Sequence, residues 1–192
     1  MQASKPAVQL GGEPLIARSL RALAEAGIEA VVMVKPGTQL PALACEVQHE
    51  PAQPHHPLLG VVTALRRHPG RAAIVLACDL PFAPAGLLAW LAAASQPLIV
   101  CEAQRRLHPL LGRYQPELAA KLGEVVERGE PAQAAVRALE PRVVGEDELR
   151  RFGDPERILF NVNTPEELAR AEQLLEGPGR ERGPAHPTQY DR

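Results

Sequence analysis

Aromatic residues are scarce, at 3% of the 192 positions. The core must therefore come from aliphatic packing of Ala, Leu and Val, and stacking platforms for single-stranded nucleic acid are not expected. There is no excess of positive charge: the formal net charge is -2, so no basic field advertises a nucleic-acid partner. Cysteine is sparse and unpaired in pattern. Cys45, Cys78 and Cys101 are widely spaced, with no CxxC, which argues against a disulfide framework and a structural zinc site and fits a reducing compartment. No apolar run reaches spanning length, and no apolar stretch follows the first basic residue as in a leader. A cytoplasmic protein with no membrane partner is the expectation. Gly-x-Ser-x-Gly, HExxH and GxxxxGK[ST] are all missing, which disfavours serine hydrolases, zincins and P-loop enzymes.

What is present is an alternation of helix and strand signals. Leu15, Ile16, Leu20, Leu23 and Ala26 recur at helical spacing after Pro14, and Gly27 stops the run. Glu29 to Val34 reads as a strand, closed by Lys35-Pro36-Gly37, and Cys45 to Glu50 as a second, alternating one. "PAQPHHP" is a loop, and a helix is expected from Gly60. "AAIVLACD" (Ala72 to Asp79) is an uninterrupted apolar run, as in a strand of a parallel sheet buried on both faces. Helices are expected over Pro84 to Ala94, Pro116 to Arg128 and Pro131 to Leu139. Strands are expected at "PLIVCE", Leu110 to Tyr114 and "RVVG", the last at an edge. Thr164, Pro165 and Glu167 form a capping box opening a helix to about Leu175. The pattern predicts a three-layer α/β fold, a mostly parallel sheet with helices on both faces. One domain over residues 1–176 and a disordered Gly/Pro-rich tail over 177–192 are expected.

In such sheets ligands sit beyond the carboxyl ends of the strands. Asp79 stands there, where an aspartate can hold magnesium against phosphates; the alternative is a turn-forming or capping Asp. Lys5 can neutralise phosphate, or is simply solvated. Gly11 and Gly12 can admit a ligand to the backbone, or make a turn between a strand and a helix. His55 and His56 could suggest a metal, but adjacent histidines point in different directions, so a flexible surface loop is the expectation. Arg105 and Arg106, with His108 beside them, can clamp a phosphate between the two arginines or form a solvated hairpin tip. Asn161 and Asn163 share a face of an extended segment and can offer amides to a polar ligand, or stabilise a turn.

"SKPAVQLGGEPLI", "PLLGVVTAL", "IVLACDLPF", "RLHPLLGRY" and "FNVNTPEELARAEQLL" occur in this order. Together they resemble the molybdenum cofactor guanylyltransferases of the nucleotidyltransferase superfamily, from about Lys5 to Leu175, most specifically at "CDLPF" and "NVNTPEEL". The resemblance implies a Rossmann-like nucleotidyltransferase fold and transfer of GMP from GTP to molybdopterin, with Mg2+, releasing pyrophosphate. It implies that Asp79 binds the metal, Lys5 contacts phosphates, and Glu50 and Gly60 lie near the guanosine. Asn161 and Asn163, with Arg106 and His108, would face the pterin. Transient contact with proteins that make or accept the cofactor is also implied. Siblings that use CTP or a sugar phosphate, and a non-catalytic cofactor-binding remnant, are the alternative readings.

The chain departs from this family at its start. The family's first strand and its glycine-rich loop are absent, and Ser4 stands where an aspartate precedes the lysine. After "VMV", Lys35 stands where the family usually has asparagine. The expectation is a sheet lacking its first strand, and a native start further upstream.

Overall fold

The computed structural model describes residues 5–176; the predicted tail over 177–192 lies outside them. A 3-10 turn at Lys5–Ala7 leads into a short hairpin, β1 (Gln9–Leu10) and β2 (Glu13–Pro14). Gly11 and Gly12 turn it at φ of 60° and 77°, a left-handed pair that glycine adopts without steric cost. The turn expected between a strand and a helix is thus inside a hairpin. α1 (Leu15–Glu25) follows, then β3 (Val31–Val34) and β4 (Glu46–His49), paired in parallel.

The second half begins with α2 (Leu59–Arg67), β5 (Ala73–Leu76) and α3 (Ala85–Ala93). β6 (Leu98–Ala103) and β7 (Arg106–Tyr114) form a hairpin. A 3-10 turn at Pro116–Leu118 precedes α4 (Ala119–Arg128), so the predicted helix over this stretch changes pitch at its proline end. α5 (Ala132–Ala138), β8 (Arg142–Val144), α6 (Glu146–Leu149), α7 (Pro155–Ile158) and α8 (Pro165–Glu176) complete the described chain.

Four strands make the larger sheet in the order β5-β7-β6-β8. β5 and β6 both run antiparallel to β7, and β8 runs parallel to β6. Three of its strands therefore share one direction. Successive residues of β6 enter opposite cores. Leu98 and Val100 pack with α2, α4 and α5, whereas Ile99 and Cys101 pack with α3, α6 and α7. That period-2 division gives the expected three layers.

Two strand expectations are corrected. β5 is only partly buried along its whole length, with Ala73 and Val75 against one core and Ile74 and Leu76 against the other, not fully buried on both faces as in a parallel sheet. Its partner β7 is antiparallel, and among the described residues its other edge has no ladder partner. β7 starts at Arg106, earlier than the predicted Leu110, and passes through Pro109. Proline lacks an amide donor and is disfavoured in central strands. Here the β6–β7 register shifts between Val100 and Cys101, whose partners are Gly112 and His108. Pro109 falls in that irregularity, where no ladder bond to β6 is required of it.

A third, smaller core joins the two ends of the described residues. Leu10, Leu15, Val162 and Ala171 are buried together, bordered by Phe82, Phe160, Leu168 and Leu175. Leu10 and Leu15 are fully buried, and each such leucine stabilises by roughly 1.5–3 kcal/mol. This cluster ties the first hairpin, the turn after β5 and α8 into one corner.

Candidate functional site

That corner brings together three of the sequence-predicted residues, Lys5, Asp79 and Asn163. Asp79 lies in the turn after β5, shaped by Leu80 N–H donating to the Ala77 carbonyl at 3.1 Å. The Asp79 carbonyl accepts from Val162 N–H at 2.9 Å, which fixes the Asn161–Asn163 segment beside it. Lys5 Nζ lies 3.3 Å from Asp79 Oδ2 and also donates to Asn163 Oδ1. Asn163 is itself held: its backbone N–H donates to Glu167 Oε2 at 2.7 Å. Glu167 N–H in turn donates to Thr164 Oγ1 at 3.2 Å, the predicted capping box, now with a second task at the site.

Asp79 is partly exposed and Lys5 about half exposed. An ion pair of this kind adds no more than about 1 kcal/mol to stability, so its interest is chemical. Burial, then the Asp79 charge, pushes the neighbouring Cys78 thiol up to about 11. His108 is held below its ordinary value, first by burial and then by the Arg106 guanidinium, with Asp79 opposing. His108 sits on β7, not at the hairpin tip. The tip is Gln104-Arg105, both with positive φ, and Arg106 is the exposed first residue of the strand.

Glu50, Gly60 and Lys35 form a separate group. Glu50 follows β4, and its N–H donates to the Val34 carbonyl at 2.9 Å. Its Oε1 lies 3.1 Å from Lys35 Nζ. Its Oε2 would stand 2.8 Å from any Cβ added at Gly60, so the carboxylate occupies the space that a side chain there would fill. No contact joins this group directly to Lys5 or Asp79 among the described residues. Asn161 is half-buried, with no hydrogen bond to its amide among the described residues.

A cleft of about 850 Å³ lies elsewhere, between Glu102–Arg105, Arg137 and Gly145–Glu148. Of the sequence-predicted residues only Arg105 lines it; Arg137 is paired with Glu102 at 2.9 Å, and Glu146 accepts from the Gln104 N–H at 2.8 Å.

Among the described residues, no three His, Cys, Asp or Glu side chains gather as a metal site. Asp79 alone, a hard oxygen donor at a strand end with Asn163 beside it, suits an ion that takes most of its ligands from water and phosphate, as magnesium does. No described helix is long and apolar enough to cross a membrane.

A lysine meeting a carboxylate at the carboxyl end of a sheet strand, in a three-layer α/β frame, stands where such folds bind their ligands, and the family of the chain makes it a nucleotidyltransferase. The chain is a member of the MobA-like NTP transferase domain family, whose model matches residues 1–143. A molybdenum cofactor guanylyltransferase of Cereibacter sphaeroides is 33% identical over 193 residues, covering 89% of this chain and 88% of that protein. One from Shewanella halifaxensis is 31% identical over 115 residues, 58% of this chain and 55% of that protein. Among solved structures, molybdopterin-guanine dinucleotide biosynthesis protein A from Archaeoglobus fulgidus superimposes with TM-score 0.70 at 23% identity, covering 90% of each chain. The 2-C-methyl-D-erythritol 4-phosphate cytidylyltransferase of Thermus thermophilus shares the fold at TM-score 0.65 and 22% identity, covering 90% of this chain and 94% of that one.

Proposed function

We propose that this protein transfers GMP from GTP to molybdopterin or its molybdenum form. The acceptor's phosphate oxygen bonds to the α-phosphorus as the bond to pyrophosphate breaks. The observation that carries the reading is the meeting of Lys5, Asp79 and Asn163 from three distant parts of the chain. The guanylyltransferase relatives supply the choice of nucleotide and acceptor.

Little covalent chemistry falls to the protein; positioning and charge neutralisation do most of the work. Asp79 would hold Mg2+, which when bound neutralises charge on the phosphates. Lys5 supplies a mobile cation that can exchange its present carboxylate for a phosphate oxygen. Asn163, pinned by Glu167, offers an oriented amide at the same place, with Asn161 beside it on the pterin side. His108 on β7 feels the Asp79 charge, and its low proton affinity keeps it neutral and able to accept or donate one hydrogen bond; Arg106, the exposed first residue of that strand, would serve the same side. Three free cysteines suit a reducing cytoplasm.

The test is product formation. Purified protein with GTP, Mg2+ and molybdopterin should give the guanine dinucleotide and pyrophosphate in equal amounts. Cytidine dinucleotide formed preferentially from mixed GTP and CTP would replace this reading with that of a cytidine-using sibling. Tight pterin binding with no nucleotide transfer would favour a non-catalytic cofactor carrier.

A further inference from the structure

We propose that Glu172 is a positioning residue for Lys5. By holding the tip of the first hairpin it fixes where the lysine amine can reach, and it makes α8 the common support of both sides of the site. The assignment rests on the guanylyl-transfer reading above for the role of Lys5, and adds to it a residue remote from the chemistry.

Three features carry it. The first is a bond between distant segments. Glu172 Oε1 accepts from the Gly11 N–H at 2.8 Å, across 161 residues. Gly11 stands at the tip of the β1–β2 hairpin with φ of 60°. Its amide is thus held by a carboxylate, a stronger acceptor than a neutral carbonyl, and is not offered to a ligand.

The second is enclosure. A Cβ at Gly11 would stand 2.7 Å from Leu175 Cδ1 and 3.9 Å from Arg18 Nη1. The tip is therefore seated between α8 and α1, and Arg18 Nη1 donates to the neighbouring Leu10 carbonyl at 3.3 Å. Leu168, Ala171 and Leu175 recur at helical spacing and join the third core with Leu10 and Leu15. Glu172, one turn after Leu168, stands at the edge of that stripe, over the hairpin tip.

The third is a short bonded path to the site. The Val8 carbonyl accepts from Leu15 N–H at 2.9 Å, and Val8 N–H donates to the Lys5 carbonyl at 3.2 Å. The backbone of Lys5 is thereby tied to the hairpin. Its side chain is a flexible four-carbon stem, so the place of its backbone limits where the charge can go. The same helix anchors the opposite side: Glu167 holds the Asn163 N–H at 2.7 Å, and Asn163 shares the Lys5 amine with Asp79. One rigid element therefore sets the spacing of Lys5 and Asn163. A reaction that depends on positioning is sensitive to such spacing, since a shift of about 1 Å can cost about 10²-fold in rate.

A double-mutant cycle on the whole chain tests this. Two quantities are read in each variant: affinity for magnesium tripolyphosphate, by phosphorus NMR titration, and kcat/KM for GTP in dinucleotide formation. Glu172→Ala should weaken tripolyphosphate binding about threefold to tenfold and lower kcat/KM about 10- to 10²-fold. Glu172→Gln keeps a carbonyl acceptor for Gly11 and should restore most of both. In a Lys5→Met background Glu172→Ala should change neither by more than about twofold, because the group it positions is gone. A loss that persists undiminished in that background overturns the inference and makes Glu172 a packing residue. Natural affinity and turnover in Glu172→Ala overturn it as well; both outcomes leave guanylyl transfer standing. Coupled loss of tripolyphosphate affinity, in a protein that forms no guanine dinucleotide, overturns guanylyl transfer and leaves Glu172 as the residue that positions Lys5.

Discussion

Lys5 and Asp79 are 74 residues apart in sequence, and their charged atoms lie 3.3 Å apart. Asn163, 158 residues from Lys5, accepts from the same amine. The lysine is shared between a carboxylate and an amide at the end of β5, where an incoming polyphosphate and its metal would compete for all three groups.

Removing the Asp79 charge separates chemistry from stability. Asp79→Asn should lower turnover about 10²–10³-fold, the scale for losing one group that stabilises developing charge. Its unfolding midpoint should barely move, because a half-exposed ion pair contributes at most about 1 kcal/mol. Steady-state rates at saturating magnesium, beside a thermal melt, check both. Undiminished turnover would take Asp79 out of the site.

His108 predicts a pH signature. Burial and Arg106 lower its proton affinity in the folded chain below the ordinary 6.5. As pH falls through about 6.5 the unfolded chain takes up the proton first, so stability is full above that value and declines below it. Urea midpoints between pH 7.5 and 5 should fall in the natural protein, and His108→Gln should flatten part of that fall. Parallel curves for the two proteins would show that His108 does not carry it.

The β6–β7 hairpin that carries His108 depends on Gly112. A Cβ at this position would drive into the Ile99 backbone carbonyl, which no side-chain movement can relieve. Gly112→Ala should destabilise by about 2–3 kcal/mol, measured by urea unfolding. A change below about 0.5 kcal/mol would mean that the strands separate more easily than their pairing indicates.

Glu167 links helix capping to the site. Glu167→Ala removes the acceptor for both Asn163 N–H and Thr164 N–H, while Thr164→Ala removes the cap to Glu167 N–H and leaves the Asn163 anchor in place. Each should cost about 1 kcal/mol of stability. Glu167→Ala should in addition raise KM for the acceptor, since Asn163 loses its anchor. Equal KM values in the two variants would reduce Glu167 to a helix cap.

Much of this was legible in the chain. Helical spacing, glycine stops and the Thr164–Glu167 cap located α1, α2, α3, α4, α5 and α8 to within a few residues, because those signals are local. The cores of β3, β4, β5, β6 and β8 were visible for the same reason, whereas the β1–β2 hairpin is too short to carry a period-2 signal. Asp79 and the two asparagines announced themselves by position, at a strand end and before a helix. β7 was underestimated because Pro109 breaks the local strand signal, and only the register shift against β6 shows where a proline can be tolerated. The incomplete burial of β5 was equally hidden, since an apolar run looks the same at an edge as in a sheet interior.

The sequence by itself determined which segments are helix or strand and which residue types stand at their ends. It did not determine who meets whom. The contact of Lys5 with Asp79 and Asn163 was decided by a core of Leu10, Leu15, Val162 and Ala171 that draws both ends of the described chain to one corner. The pairing of Lys35 with Glu50 was decided by the parallel register of β3 and β4. Both are long-range packing events, and burial of apolar surface has no spacing rule along the chain from which they could be read.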